Sequence, residues 1–185
     1  METKHAIYTF KIKLQSLGAL QPEAWTMILD LAQTTKLKAN ESFIRKEGTL
    51  AYITEGLLKE YDAQERKSPS IINFISYTEP LFTRKSNQNH YLKACLNTHI
   101  MFWNWEHLQL LYEKFPELKL VYNNLISQYD ERMQLRMRLL ELTISERITT
   151  FRDTFKPCLP YLKKVEIANY LHLNYTHFLK SWNSH

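Results

Sequence analysis

Between residues 42 and 105 the chain reads SFIRKEG (42–48), AYITEGLLKEYD (51–62), SIINFISY (70–77), HYLKACLN (90–97) and HIMFWNW (99–105). Runs this short, dense in Ile, Phe, Tyr and Thr, have the composition of strands rather than helices. Polar breaks at Gln64 to Ser70 and Arg84 to Asn89 give a spacing that suits an antiparallel sheet folded on itself as a roll or barrel. The stretch from Asn40 to about Trp105 is therefore expected to be all β.

Both flanks change period. Upstream, Gln21-Pro22-Glu23 precedes Ala24, Trp25, Ile28, Leu29 and Leu31; a proline at the start and apolar residues at three and four spacing predict a first helix over 22–34. Downstream, the helical period returns in Glu106 to Phe115 and stops near Pro116. A long helix follows, in which Leu118, Val121, Leu125, Gln128, Arg132, Leu135, Leu139 and Leu142 recur at three and four residues. This is a heptad seam with two polar positions in its middle. It is longer than one small roll can cover, so a second copy of the chain is expected to cover it, the alternative being that the helix packs on its own β unit.

Thr143 with Glu146 three residues on makes a capping box, which starts a helix running to about Phe155, and Pro157 ends it. Lys163 to Leu171 and Tyr175 to about Trp182 then read as two short helices around the turn His172-Leu173-Asn174. Ala168 is small where the second helix would cross, and Ile167, Leu171, Leu173 and Phe178 can form the little core of a helix-turn-helix. An ordinary helical hairpin is the alternative. The whole is an α+β chain with a roll over 1–116, a long helix over 117–142 and a terminal helical unit over 143–185.

With 185 residues the chain can bury two cores, and its 44% hydrophobic and 23% charged residues are those of a globular protein. The net charge is +5, and the basic end is the tail: residues 143–185 carry Arg147, Arg152, Lys156, Lys163, Lys164 and Lys180 against Glu146, Asp153 and Glu166. That excess favours a polyanionic partner. Cys95 and Cys158 are far apart in sequence and neither belongs to a CxxC, so they read as reduced thiols rather than zinc ligands or a disulfide framework. METKHAIYTFKIKL (1–14) scatters charges through its apolar residues, unlike a secretory signal or anchor. No stretch nears the roughly 20 apolar residues of a membrane span, so a soluble, cytoplasmic protein with no membrane partner is expected. With no HExxH, nucleophile–base motif or glycine-rich phosphate loop, no catalytic residue is assigned and an enzyme is not expected. His90, His99 and His107 lack metal-ligand spacing and read as surface or half-buried histidines, so no metal is expected.

An order of helix, β-roll, long helix and terminal helix pair resembles Crp/Fnr transcription regulators, over nearly the whole chain. Phe43-Ile44-Arg45-Lys46-Glu47-Gly48, then Glu55-Gly56-Leu57-Leu58-Lys59 and Tyr61, look like that family's first roll strands and glycine turns. LLYEKFPEL (110–118) looks like its lead-in to the dimer helix, and Ser145-Glu146-Arg147-Ile148 through Ile167-Ala168-Asn169-Tyr170-Leu171 like the approach to its helix-turn-helix. The resemblance implies a cyclic-nucleotide-binding-like double-stranded β-roll and a homodimer joined through Leu118, Val121, Leu125, Gln128, Arg132 and Leu135. It also implies double-stranded DNA as partner, met by Lys163, Lys164, Tyr175, Thr176, His177 and Lys180.

The resemblance also marks departures. Aligned on Leu92-Lys93-Ala94, Glu79 falls at the ribose-binding glutamate, Thr78 replaces a glycine, and Gln88 stands where the phosphate-binding arginine belongs. A buried phosphate needs a guanidinium or an equivalent set of donors. Cyclic AMP is therefore not expected as effector, and Glu79 reads as a solvated loop residue. The roll either senses another small molecule or serves as a scaffold, and no cofactor is implied. In the last helix a family serine maps to Leu179 and an apolar packing position to Ser181, with Trp182 placed to supply the lost packing. His172 stands where the turn has glycine, which implies a positive φ costing on the order of 1 kcal/mol. These changes support a second reading, an interaction module that binds neither cyclic nucleotide nor specific DNA.

Overall fold

The computed structural model of the chain describes residues 2–64 and 67–184; part of the predicted Gln64 to Ser70 break, Glu65 and Arg66, and the two terminal residues lie outside them. Among the described residues, eight strands form two four-stranded antiparallel sheets. The strands are β1 Gln33–Leu37, β2 Ser42–Phe43, β3 Leu50–Glu55, β4 Leu57–Asp62, β5 Ser70–Ser76, β6 Pro80–Phe82, β7 Tyr91–Ala94 and β8 Thr98–Trp103. One sheet has the order β1-β8-β3-β6, the other β2-β7-β4-β5, which is the expected roll. The run AYITEGLLKEYD is two strands in different sheets. Gly56 carries the crossover at φ +94°, and a Cβ there would lie 2.6 Å from the Asn97 carbonyl oxygen, so only glycine fits.

The helices are α1 Glu2–Leu17, α2 Pro22–Asp30, α3 Trp105–Lys114, α4 Leu118–Glu141, α5 Ile144–Thr154, α6 Lys164–Tyr170 and α7 Tyr175–Asn183, with a 3₁₀ turn at Leu159–Tyr161. Two expectations at the amino end need correction. The first helix is α1, in which Ala6, Phe10 and Leu14 are buried at four-residue spacing while Tyr8 and Ile12 are exposed; apolar residues on both sides blur the contrast on which periodicity depends. The helix predicted over 22–34 ends at Asp30, because the β-branched Thr34 and Thr35 belong to β1, which pairs with β8 from Gln33 opposite Phe102.

Two apolar cores result. The first joins Phe10, Ile28, Tyr52, Trp103, Leu111, Val121 and Leu125. Phe10 lies 4.2 Å from the Tyr52 ring and 5.5 Å from Trp103, and the buried Trp103 indole donates to the Ile28 carbonyl at 2.8 Å. The second joins Leu57, Ile71 and Phe74 of the roll to Leu139, Phe151, Phe155, Tyr170 and Phe178. The terminal helices therefore complete their core on the outer face of β4 and β5. Cys95 and the buried Cys158, distant in sequence, both belong to this second core as free thiols.

Candidate functional site

The terminal helix pair is built as the sequence predicts. Thr143 and Glu146 close the capping box of α5. Ile167, Ala168, Leu171 and Phe178 are buried, at 2%, 2%, 0% and 0% exposure, which makes them the hinge of the α6–α7 pair. His172 sits at φ +55° in the turn between them, as its alignment with glycine implies. Asn174 caps α7, its Oδ1 accepting from the amides of Thr176 at 3.0 Å and His177 at 3.4 Å. Trp182 packs 5.1 Å from Phe178 and lies under the Arg152 guanidinium at 4.0 Å, and Leu179 is half-buried on the same core. Both inward-turned residues are thereby removed from the outer face.

That outer face carries Tyr175, Thr176, His177 and Lys180, all exposed. Lys163 and Lys164 are exposed at the start of α6, and Lys164 Nζ reaches Asn183 Oδ1 at 3.4 Å. The structure thus gathers the predicted lysines and the first turn of α7 on the terminal unit. Among these polar groups the cations can meet phosphates, and the hydroxyl, imidazole and ammonium of the helix can meet base edges.

The roll interior differs from expectation. Glu79 is no solvated loop residue: its side chain is 17% exposed, it pairs with Arg132 of α4, and its Oε2 accepts from the Ser76 amide at 2.7 Å. Local turn geometry drives this, since Thr78 beside it takes φ +68° and its carbonyl accepts from Lys13 Nζ at 3.1 Å. Glu79 and Arg132 border a cleft of about 430 Å³ between roll and α4. Gln88 lies in the loop before β7, exposed and outside that cleft; the two residues of the expected effector pocket are not brought together in one cavity.

Sequence reasoning missed a buried polar cluster deeper in the roll. Glu60 of β4 has a fully buried side chain and pairs with Arg45 at 2.5 Å, itself 1% exposed. The Tyr129 hydroxyl of α4 contacts both Glu60 oxygens at 2.9 Å, and His90 Nδ1 lies 3.3 Å away. Arg45 also donates to the Phe82 carbonyl at 2.7 Å, and Asn87 Nδ2 reaches the Tyr129 hydroxyl at 3.2 Å. Burial alone would push the Glu60 carboxyl up, but His90, Arg45 and Tyr129 hold it below the usual carboxylate range. The one sequence signal was a glutamate inside the strand run LLKEYD (57–62). His90, His99 and His107 are half-buried as expected, the first on Glu60 and the second 3.2 Å from Glu55.

The predicted dimer seam also needs correction. Leu118, Val121 and Leu125 are buried, at 4%, 3% and 1% exposure, in the first core of their own chain. Gln128, Arg132 and Leu135 line the cleft that faces the roll. The roll covers more of α4 than its size suggested because α1 and α3 extend it: Asn124 Nδ2 donates to the Leu17 carbonyl at 2.7 Å, and Leu111 of α3 joins the same core as Val121.

A second junction ties the terminal helices to the roll. Lys59, next to Glu60 but on the other face of β4, pairs with Glu166 of α6 at 2.5 Å. Asn169 presents its whole amide to β5, the outermost strand of its sheet: Oδ1 accepts from the Ile71 amide at 2.6 Å and Nδ2 donates to the Pro69 carbonyl at 3.2 Å. The Arg147 guanidinium gathers the carbonyls of Leu140, Leu142 and Leu171 within 2.9 Å, joining the end of α4 to the end of α6.

No protein-family pattern matches this chain, and no curated protein does. Solved structures do. The c-di-GMP responsive global regulator CLP of Xanthomonas campestris is 12% identical over 89% of this chain and 91% of its own, with a TM-score of 0.68. A Eubacterium rectale protein assigned to the crp/fnr family of transcriptional regulators is 13% identical over 89% and 83%, with a TM-score of 0.68. FixK2 of Bradyrhizobium japonicum is 12% identical over 83% of each chain, with a TM-score of 0.67. At such identities the likeness establishes the fold, which is that of Crp/Fnr regulators.

Proposed function

We propose that the chain is a cytoplasmic, homodimeric, DNA-binding transcription regulator of the Crp/Fnr type that does not respond to cyclic AMP. The observation that carries this reading is the outer face of α7, where Tyr175, Thr176, His177 and Lys180 stand exposed over a helix anchored from behind by Phe178. Exposed polar side chains on the amino half of the second helix are what the major groove accepts. Lys163 and Lys164 add phosphate contacts, which supply most non-specific affinity.

The absence of a guanidinium at Gln88 and the engagement of Glu79 by Arg132 argue against a cyclic nucleotide. The homodimer draws support from an adjacent face of α4, where Ile126, Met133, Met137 and Leu140 recur at seven, four and three residues and Met137 is 67% exposed. The two α7 helices would then enter successive major grooves about one turn apart.

The test is a fluorescence-anisotropy titration with random-sequence duplex DNA at low and moderate salt, with and without cyclic AMP. Binding that weakens steeply with salt and ignores cyclic AMP is the expected result. No binding under any condition would replace the regulator with an interaction module, and a cyclic-AMP effect would show that the roll takes the nucleotide without the arginine.

A further inference from the structure

Residues 67–70, which lead into β5, sit against the turn of the helix-turn-helix. Asn169 pins them there through Pro69 and Ile71. Between the two lies a cleft of about 520 Å³, lined by Lys67, Ser68 and Ser70 from the roll and by Asn169, His172 and Asn174 from the turn. None of the described residues lining it is a carboxylate, whereas the cleft beside α4 holds Glu79 and Glu131 and the one beside Trp105 holds Glu47 and Glu106. A further guanidinium, Arg136, donates to Ser70 Oγ at 3.2 Å. Lys67, His172 and Asn174 are exposed, and Asn174 is the residue that caps α7. A cation, hydroxyls and side-chain amides with no negative charge among them form a surface complementary to a polyanion, and this one adjoins the exposed turn Tyr175 to His177.

We infer that this cleft is a phosphate-contact surface for double-stranded DNA, in which Lys67 of the β-roll holds the sugar-phosphate backbone beside the groove that α7 enters. The inference rests on the DNA-binding reading. It goes beyond it in giving the roll a direct hand on the duplex. Because the Asn169 amide and the Lys59–Glu166 pair fix the roll to α6, Lys67 keeps a constant offset from α7 and acts as a register contact, one that positions without reading sequence.

The experiment is a salt titration of duplex binding for the wild type, Lys67→Ala and Lys67→Arg on a random duplex and on two unrelated fixed sequences. Lys67→Ala is expected to flatten the log K against log salt slope by about 1, the share of a single lysine at a phosphate, and to weaken all sequences alike. Lys67→Arg restores the slope. Thermal melting of both variants stays at the wild-type value, since Lys67 is exposed. A wild type that binds with an unchanged slope in Lys67→Ala overturns the inference and leaves the DNA reading standing. A wild type that binds no duplex overturns both.

Discussion

Lys59 and Glu60 are consecutive residues of one strand, yet they hold the molecule together on opposite faces of one sheet by different physics. Glu60 points inward to a sealed cluster of Arg45, Tyr129 and His90 that ties the roll to α4. Lys59 points outward to Glu166, 7% and 14% exposed, and ties the roll to the terminal helices. Alternation along a strand is what lets neighbours serve two interfaces. The Glu60–Arg45 pair, 0% and 1% exposed, leaves an uncompensated buried charge when stripped of one partner, whereas Glu166, 14% exposed, keeps some contact with solvent when Lys59 is lost. The inner junction should therefore fail as a whole and the outer one should loosen.

The most severe way to break the comparison is Glu60→Ala, which abandons Arg45 inside the roll and should cost about 3–5 kcal/mol in urea unfolding. A loss below about 1 kcal/mol would show that the inner face needs no ion pair. The pH dependence has a definite sign. A carboxyl held below its ordinary value contributes stability above the unfolded-state pKa, near 4.3, and loses it as pH falls through the folded value. Wild type should lose stability as pH falls below about 4 more steeply than Glu60→Ala, as read by unfolding curves across that range.

Next in size is the division of α4. Leu125→Ala should cost about 2–5 kcal/mol of stability without affecting association, while Met137→Glu should separate a dimer in sedimentation at little cost to the fold. The reverse pattern would restore the seam to Leu125. A smaller effect is expected of Lys59→Met, about 1–3 kcal/mol, with faster amide exchange confined to α6 and α7. Uniform exchange would mean that the outer junction is as cooperative as the inner one. Smallest is His172→Gly, which relieves the φ of +55° and should stabilise by up to about 1 kcal/mol in thermal melting.

The contrast also governs what the sequence disclosed. Lys163 to Trp182 was legible because helix caps, spacing and a small core are local signals, while the positive φ of His172 was implied only by the resemblance that sets it at a glycine of the turn. The roll was legible from its strand composition. What stayed hidden depends on contacts far apart in sequence: Glu60 meets Tyr129 across 69 residues, and Asn169 meets Ile71 across 98. For the same reason the leucine stripe of α4 showed that a partner surface exists but not whose. A periodicity states which face is apolar and nothing about what covers it.

The amide of Asn169 carries a further consequence for the order of events on the ribosome. β5 emerges about a hundred residues before the side chain that closes its outer edge. A bare edge strand is a template for pairing with another chain. A nascent chain halted after α4 should therefore clump through β5, and the last helices, whatever they bind, would also be the chaperone of the first domain made.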